Sequence, residues 1–80
     1  REAATIAVVR MGPSVVERLI EALADDEWAI REQAASALGK LKDTRGVDPL
    51  VKALRDKDGA VRTAAVWALE RIGDARAVPG

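Results

Sequence analysis

The reactive groups of this 80-residue sequence are carboxylates, amines and guanidiniums, because it contains no His and no Cys. That removes imidazole acid-base catalysis, thiolate nucleophiles, disulfides and any zinc site built on Cys or His. The acids gather at Asp25-Asp26-Glu27 and Asp56-Lys57-Asp58. The first group has the oxygens to hold a hard cation but lacks the spaced ligands and central Gly of a calcium loop, so no metal is expected. No glycine-rich phosphate loop is present either. What remains is recognition chemistry: an indole at Trp67 and cations at Arg10, Lys40 and Arg71. Neither a catalytic residue nor a cofactor is expected, and the chain is read as a non-enzyme.

Thirteen Lys and Arg balance thirteen Asp and Glu, for a formal net charge of +0. Neutrality removes the long-range attraction that draws a protein to nucleic acid or to an anionic membrane. No apolar run approaches the roughly 20 residues that span a bilayer, and no signal-peptide pattern opens the chain. The absence of Cys fits a reducing compartment, so a soluble, cytoplasmic protein is expected.

The elements that must position these groups are helices. Ala, Leu and Arg are abundant, while Phe and Tyr are absent and only Trp28 and Trp67 are aromatic; such a composition favours helices packed at short distance. Ile30-Arg31-Glu32-Gln33-Ala34-Ala35-Ser36-Ala37-Leu38 returns 31 residues later as Val61-Arg62-Thr63-Ala64-Ala65-Val66-Trp67-Ala68-Leu69. Upstream of each echo, Val16, Leu19, Ile20, Ala22 and Leu23 return at the same offset as Val47, Leu50, Val51, Ala53 and Leu54. Each unit is therefore a helix pair that buries its apolar faces only by stacking on the next. The divisions are a partial unit over 1–12, repeats over 13–42 and 43–73, and a truncated unit over 74–80. Helices are predicted over 1–11, 14–24, 27–41, 46–55 and 59–72. Asp25-Asp26 and Asp56-Lys57-Asp58 are placed as N-cap acceptors, Gly12 and Gly73 as left-handed C-caps, and Pro49 in a first helical turn.

At about 100° per residue, Val61, Ala65, Ala68, Leu69 and Ile72 share one core-facing arc, and Ile30, Ala34, Ala37, Leu38 and Leu41 form the equivalent stripe. A second stripe beside the core holds Thr63, Trp67 and Arg71, with Glu32, Ser36 and Lys40 as equivalents and Ile6 and Arg10 in the first helix. These eight residues are the candidate partner-binding set. Trp67 lies off the core arc, where an aromatic either anchors a partner or packs across to a neighbouring helix. Trp28, at a helix start, reads better as a structural staple. The row of Arg10, Lys40 and Arg71 has a plain explanation, since cations near helix C-termini complement the helix dipole. If the row binds, it favours an acidic peptide or a phosphate-bearing group.

A helix with an early Pro and paired Leu, an Asp in the turn and an Arg six positions later resembles HEAT repeats, a spacing kept by Asp25 with Arg31 and by Asp56 with Arg62. The finer pattern, with Arg45-Gly46-Val47-Asp48-Pro49-Leu50 and a second helix ending Ile72-Gly73-Asp74, resembles the short HEAT-like repeats of phycobilisome lyases. The resemblance covers essentially the whole chain. It implies an all-α, right-handed α-solenoid of antiparallel helix pairs, about two and a half repeats long. It also implies that Asp25, Arg31, Asp56 and Arg62 form a ladder of charge-assisted hydrogen bonds between units, and that the second helices line a concave face which binds another protein or peptide. The alternative it implies is a component of a phycobilin lyase that attaches a tetrapyrrole. Open repeat ends are further expected to promote self-association.

Overall fold

A computed structural model describes residues 14–77, and these are helical throughout apart from the turns, with no strand among them. Helix α1 spans Val15–Ala22 and α2 spans Trp28–Leu41; a 3-10 turn over Thr44–Gly46 leads into α3, Val47–Ala53, and α4 spans Gly59–Ala77. A short helix is thus followed twice by a long one, giving two helical hairpins, α1 with α2 and α3 with α4. The two long helices make the most extensive contact in the fold, and α3 packs on α4 as α1 packs on α2. The helix expected over 1–11 lies outside the described residues. No helix among the described residues is long and apolar enough to cross a membrane.

Local hydrogen bonds start the helices. Ser14 precedes α1 in a capping box: its Oγ accepts from the Glu17 amide at 3.2 Å, and its own amide donates to Glu17 Oε1 at 3.0 Å. The Ser-x-x-Glu spacing that does this stands in the sequence. Asp25 and Asp56 act differently from the caps expected of them. Each accepts from the amide two residues on, Glu27 and Asp58, at 2.9 Å, and so braces the turn rather than the helix. Glu27 occupies the N-cap of α2 without a side-chain bond, whereas Asp58 accepts from the Ala60 amide at 2.9 Å where α4 begins. Pro49 sits in the first turn of α3, where its missing N–H leaves no carbonyl unpaired.

One contiguous core joins both hairpins. Val16, Ala35, Leu38, Leu50, Ala53, Val61, Ala64, Ala65, Ala68 and Ile72 are buried, with Leu19, Ile20, Leu23, Val47, Leu54 and Leu69 packed against them. The predicted stripe of α4 faces inward, but that of α2 is displaced. Ile30 is 39% exposed and Leu41 50%, while the buried residues of α2 are Arg31, Ala34, Ala35, Leu38 and Gly39. The reason is geometric. The helix α2 meets α4 with the flank one residue round from the one α4 turns toward α2. Ile30 and Leu41 belong to its other flank.

The end of α4 also differs from expectation. The helix does not stop at Gly73 but continues to Ala77. One period earlier, Asp43–Gly46 forms a turn because Gly46 is packed against Leu38 and Leu50 of the helices on either side. The Ala- and Arg-containing segment after Gly73 favours helix by its own propensity.

The C-cap of α2 carries a strained residue. Lys42 adopts φ 55°, ψ 35°, in the left-handed region, with its amide donating to the carbonyls of Leu38 and Gly39. A side chain in this conformation costs roughly 1 kcal/mol, which Gly avoids. Lys42→Gly is expected to stabilise the fold by about 1 kcal/mol, visible as a rise of roughly 4–8 °C in the melting temperature. A thermal melt followed by circular dichroism checks it.

Candidate functional site

Two arrangements of polar side chains are held between the hairpins. The first is centred on Arg31, a charged residue buried to 6% exposure. Its Nε donates to Asp56 Oδ2 at 2.8 Å and its Nη2 to Asp56 Oδ1 at 3.1 Å, a two-point contact between one hairpin turn and the next. Its Nη1 donates to the carbonyls of Asp25 at 2.7 Å and Asp26 at 3.0 Å in its own turn. The planar guanidinium fork matches the carboxylate, and the remaining donors satisfy backbone oxygens that a closed turn leaves exposed. No buried side-chain polar atom among the described residues lacks a partner. Arg62 repeats half of the pattern: its Nη1 donates to the Asp56 carbonyl at 2.7 Å, and no described carboxylate meets its other face. The Asp25 carboxylate accepts from the Glu27 amide alone among the described residues.

The charges in this contact support each other. The Arg31 hydrogen bonds hold the Asp56 carboxyl below its usual range, working against the cost of burial, and the same contact raises Arg31 further above neutrality. Asp43 is likewise lowered, first by the side-chain bond from Arg45, but that pair is far more exposed.

The second arrangement is a groove of about 620 Å³ between α2 and α4, lined by Glu32, Ser36 and Lys40 on one side and Gly59, Ala60, Thr63, Ala64 and Trp67 on the other. Five of the candidate partner-binding residues therefore line one cleft. Arg71 joins them at its edge, with its guanidinium carbon 5.5 Å from the centre of the Trp67 ring. Ile6 and Arg10 lie outside the described residues. Of the two readings of Trp67, the packing across to the neighbouring helix is the one seen. Its ring crosses to α2, where a Cβ on Gly39 would stand 2.8 Å from Trp67 Cζ3, and it still leaves 38% of the residue exposed. Trp28 is 50% exposed at the first position of α2 and lies outside the buried core.

Gly39 is the residue that sequence reasoning missed. A Cβ there would lie 2.7 Å from Ala68 Cα and 2.9 Å from Ala68 Cβ, so only Gly lets the long helices come this close. A Gly in the middle of a helical stretch was the available signal, because it costs about 1 kcal/mol against Ala unless packing requires it.

Paired helices that repeat at a fixed period, share one core and are joined turn to turn by an Asp–Arg contact form an α-solenoid segment. A family model described as HEAT repeats matches residues 1–80. The chain belongs to the HEAT repeat family. HEAT repeats generally mediate protein–protein interaction, and the family is typically a non-catalytic scaffold. No curated protein matches this HEAT segment. Among the described residues no group of three or more His, Cys, Asp or Glu is gathered to hold a metal ion.

The pH dependence of the segment follows from Asp56. A carboxyl whose pKa is depressed on folding contributes stability that is present above its usual value of 3.8 and is lost as pH falls through the lower folded value. The melting temperature is expected to fall as the solution is acidified below about pH 4, and Asp56→Asn should both lower the plateau at neutral pH and flatten the acid limb. Asp43→Asn should change the plateau much less, since the Arg45 partner is mostly in solvent.

Proposed function

We propose that this HEAT segment is a protein-binding scaffold that holds an extended segment of a partner protein in the groove between α2 and α4. The observation that carries the reading is Trp67, a large aromatic fixed over Gly39 and open to solvent along the floor of a cleft. An aromatic already held in position loses little freedom on binding, which is why such residues dominate the energy of interfaces. Small side chains at Gly59, Ala60, Ser36 and Ala64 let a backbone approach between the helices, while Thr63, Ser36 and Glu32 offer hydrogen-bonding groups to it. The partner is a protein rather than a nucleic acid, in keeping with a net charge of +0. The lack of Cys and of a membrane-crossing helix among the described residues supports a cytoplasmic setting.

Gly39→Ala tests whether the groove geometry matters. The substitution gains about 1 kcal/mol of helix propensity, but a Cβ closer than 3.0 Å to backbone forces the long helices apart, at a typical cost of about 1–3 kcal/mol. A net loss of stability with a red-shifted Trp67 emission is expected, together with weakened capture of a peptide that binds the parent chain. Trp67→Ala should weaken the same peptide, with a modest fall in the melt for the packing lost against Gly39. Unchanged peptide binding in both variants would remove the groove as the site.

The flank of the second hairpin supports self-association as well. Ala35 is buried under α4, yet its counterpart one period on, Val66, is 47% exposed, and Val51 of α3 is 49% exposed. Arg62, one helical turn before Val66 and anchored through one nitrogen, has donors left for a carboxylate. Concentration-dependent sedimentation that Val66→Lys abolishes is the expected result, and a monomer at every concentration would exclude it.

A further inference from the structure

We infer that the Lys40–Trp67–Arg71 end of the groove is a seat for a side-chain carboxylate, so that the segment selects an extended peptide carrying an acidic residue with an apolar residue two positions away. This rests on the groove being the binding site and adds the chemistry that the groove reads.

Charge at the two ends of the cleft differs once the helix termini are counted. Glu32 stands near Gly59 and Ala60, the first residues of α4, where the Ala60 amide already donates to the Asp58 carboxylate, so this end of the cleft carries negative charge. At the opposite end Lys40 lies in the last turn of α2, and the helix terminus there opposes it with roughly half a charge. Arg71 has no such compensation. Because α4 runs on to Ala77, Arg71 is more than a turn from the helix end, beyond the reach of the dipole that would otherwise explain a cation at this position. Lys40 and Arg71 thus bring two cations to this end, facing the roughly half charge of the α2 terminus. Neither Lys40 nor Arg71 has an ion-pair partner among the described residues.

Geometry narrows the ligand. Lys40 and Arg71 occupy equivalent positions 31 residues apart on neighbouring helices, whose axes pack at about 8–10 Å, a gap that two long side chains close around one carboxylate. Arg71 is held over the Trp67 ring, so its fork is already oriented at the edge of the indole. The eight-residue step from Glu32 to Lys40 spans about 12 Å of helix, the length of about four extended residues. In an extended chain alternate side chains point the same way, so a carboxylate between the two cations places the side chain two residues away on the same face, toward the indole and the alanines. A free anion can use the cations but not the apolar floor.

The test uses the Trp28→Phe chain, in which Trp67 is the one remaining indole, titrated with acetyl-Ala-Leu-Ala-Glu-amide and with its Gln counterpart. Both peptides are expected to change Trp67 emission, the Glu peptide binding about tenfold more tightly at low ionic strength, with a preference that shrinks as salt is added. Lys40→Gln and Arg71→Gln should each reduce that preference, lowering the Glu peptide's affinity more than the Gln peptide's. Equal affinity for the two peptides would overturn the carboxylate seat and leave the groove as a peptide site. A response to neither peptide would overturn the groove reading and the seat together. Displacement of the Glu peptide by an equal concentration of inorganic phosphate would also overturn the assignment, because it would show a site that reads charge alone.

Discussion

The close approach of α2 and α4 is the constraint on which the rest of the segment depends. Gly39 lies where any side-chain carbon would meet the backbone of Ala68 at 2.7 Å, and Ala35, Ala64, Ala65 and Ala68 continue the small surface on both helices. Dispersion contacts are individually weak and fall off steeply with separation, so a seam of methyl groups coheres only when the backbones are this near. The same proximity gives Trp67 its place. A ring that would otherwise swing in solvent lies on a bare stretch of α2, and the groove exists because the alanines and glycines beside it are too small to fill it.

Close packing of small residues has little directional content, and helices faced with alanine can slide. Arg31 supplies the register. Burying a guanidinium is costly unless its donors are used, and here four hydrogen bonds run from it, two to Asp56 of the next turn and two to carbonyls of its own. A shift of one hairpin along the other by a single residue would leave that charge buried and unpaired. The contact thus acts less as a source of net stability than as a penalty on every wrong stacking. Its repeat at Arg62, made through one nitrogen only, shows which half belongs to the hairpin itself and which half needs a neighbour.

Most of this was legible from one sequence because a repeat is its own comparison. Aligning residues 31 apart separated positions that recur for packing, such as Ala34 with Ala65 and Leu19 with Leu50, from positions that vary on the adjoining stripe, and Glu32, Ser36, Lys40, Thr63 and Trp67 do line one groove. The parts that were not legible share a cause. A helical wheel assigns one buried arc per helix, whereas a helix inside a solenoid has two neighbours, so Ile30 and Leu41 were placed on the wrong flank. Lys42 stands, one period before Gly73, where the repeat calls for Gly, and it adopts the left-handed conformation that the turn to the next hairpin demands. Gly73 has the opposite history: its type suggests a stop, but a stop forms only where something packs against the turn, and a Cβ at Gly73 would meet nothing within 4 Å.

Scale decides how such a groove can be used. A cleft two helical turns long accommodates about four extended residues, whereas stable protein interfaces bury about 1,200–2,000 Å² in total. One groove therefore supplies a reading element and not a whole interface. A solenoid resolves this by construction, since each added pair of second helices brings another groove in the same orientation, and a partner that enters several gains from effective concentration rather than from new chemistry. In that arrangement the groove residues are free to differ from unit to unit, because a change at Lys40 alters which ligand is read, whereas Arg31 and Asp56 recur one period apart as Arg62 and Asp25, and a change at Gly39 alters the spacing of α2 and α4. The division runs through Trp67, which touches Gly39 on one side and solvent on the other, and it is there that the stacking of the scaffold becomes visible to a ligand.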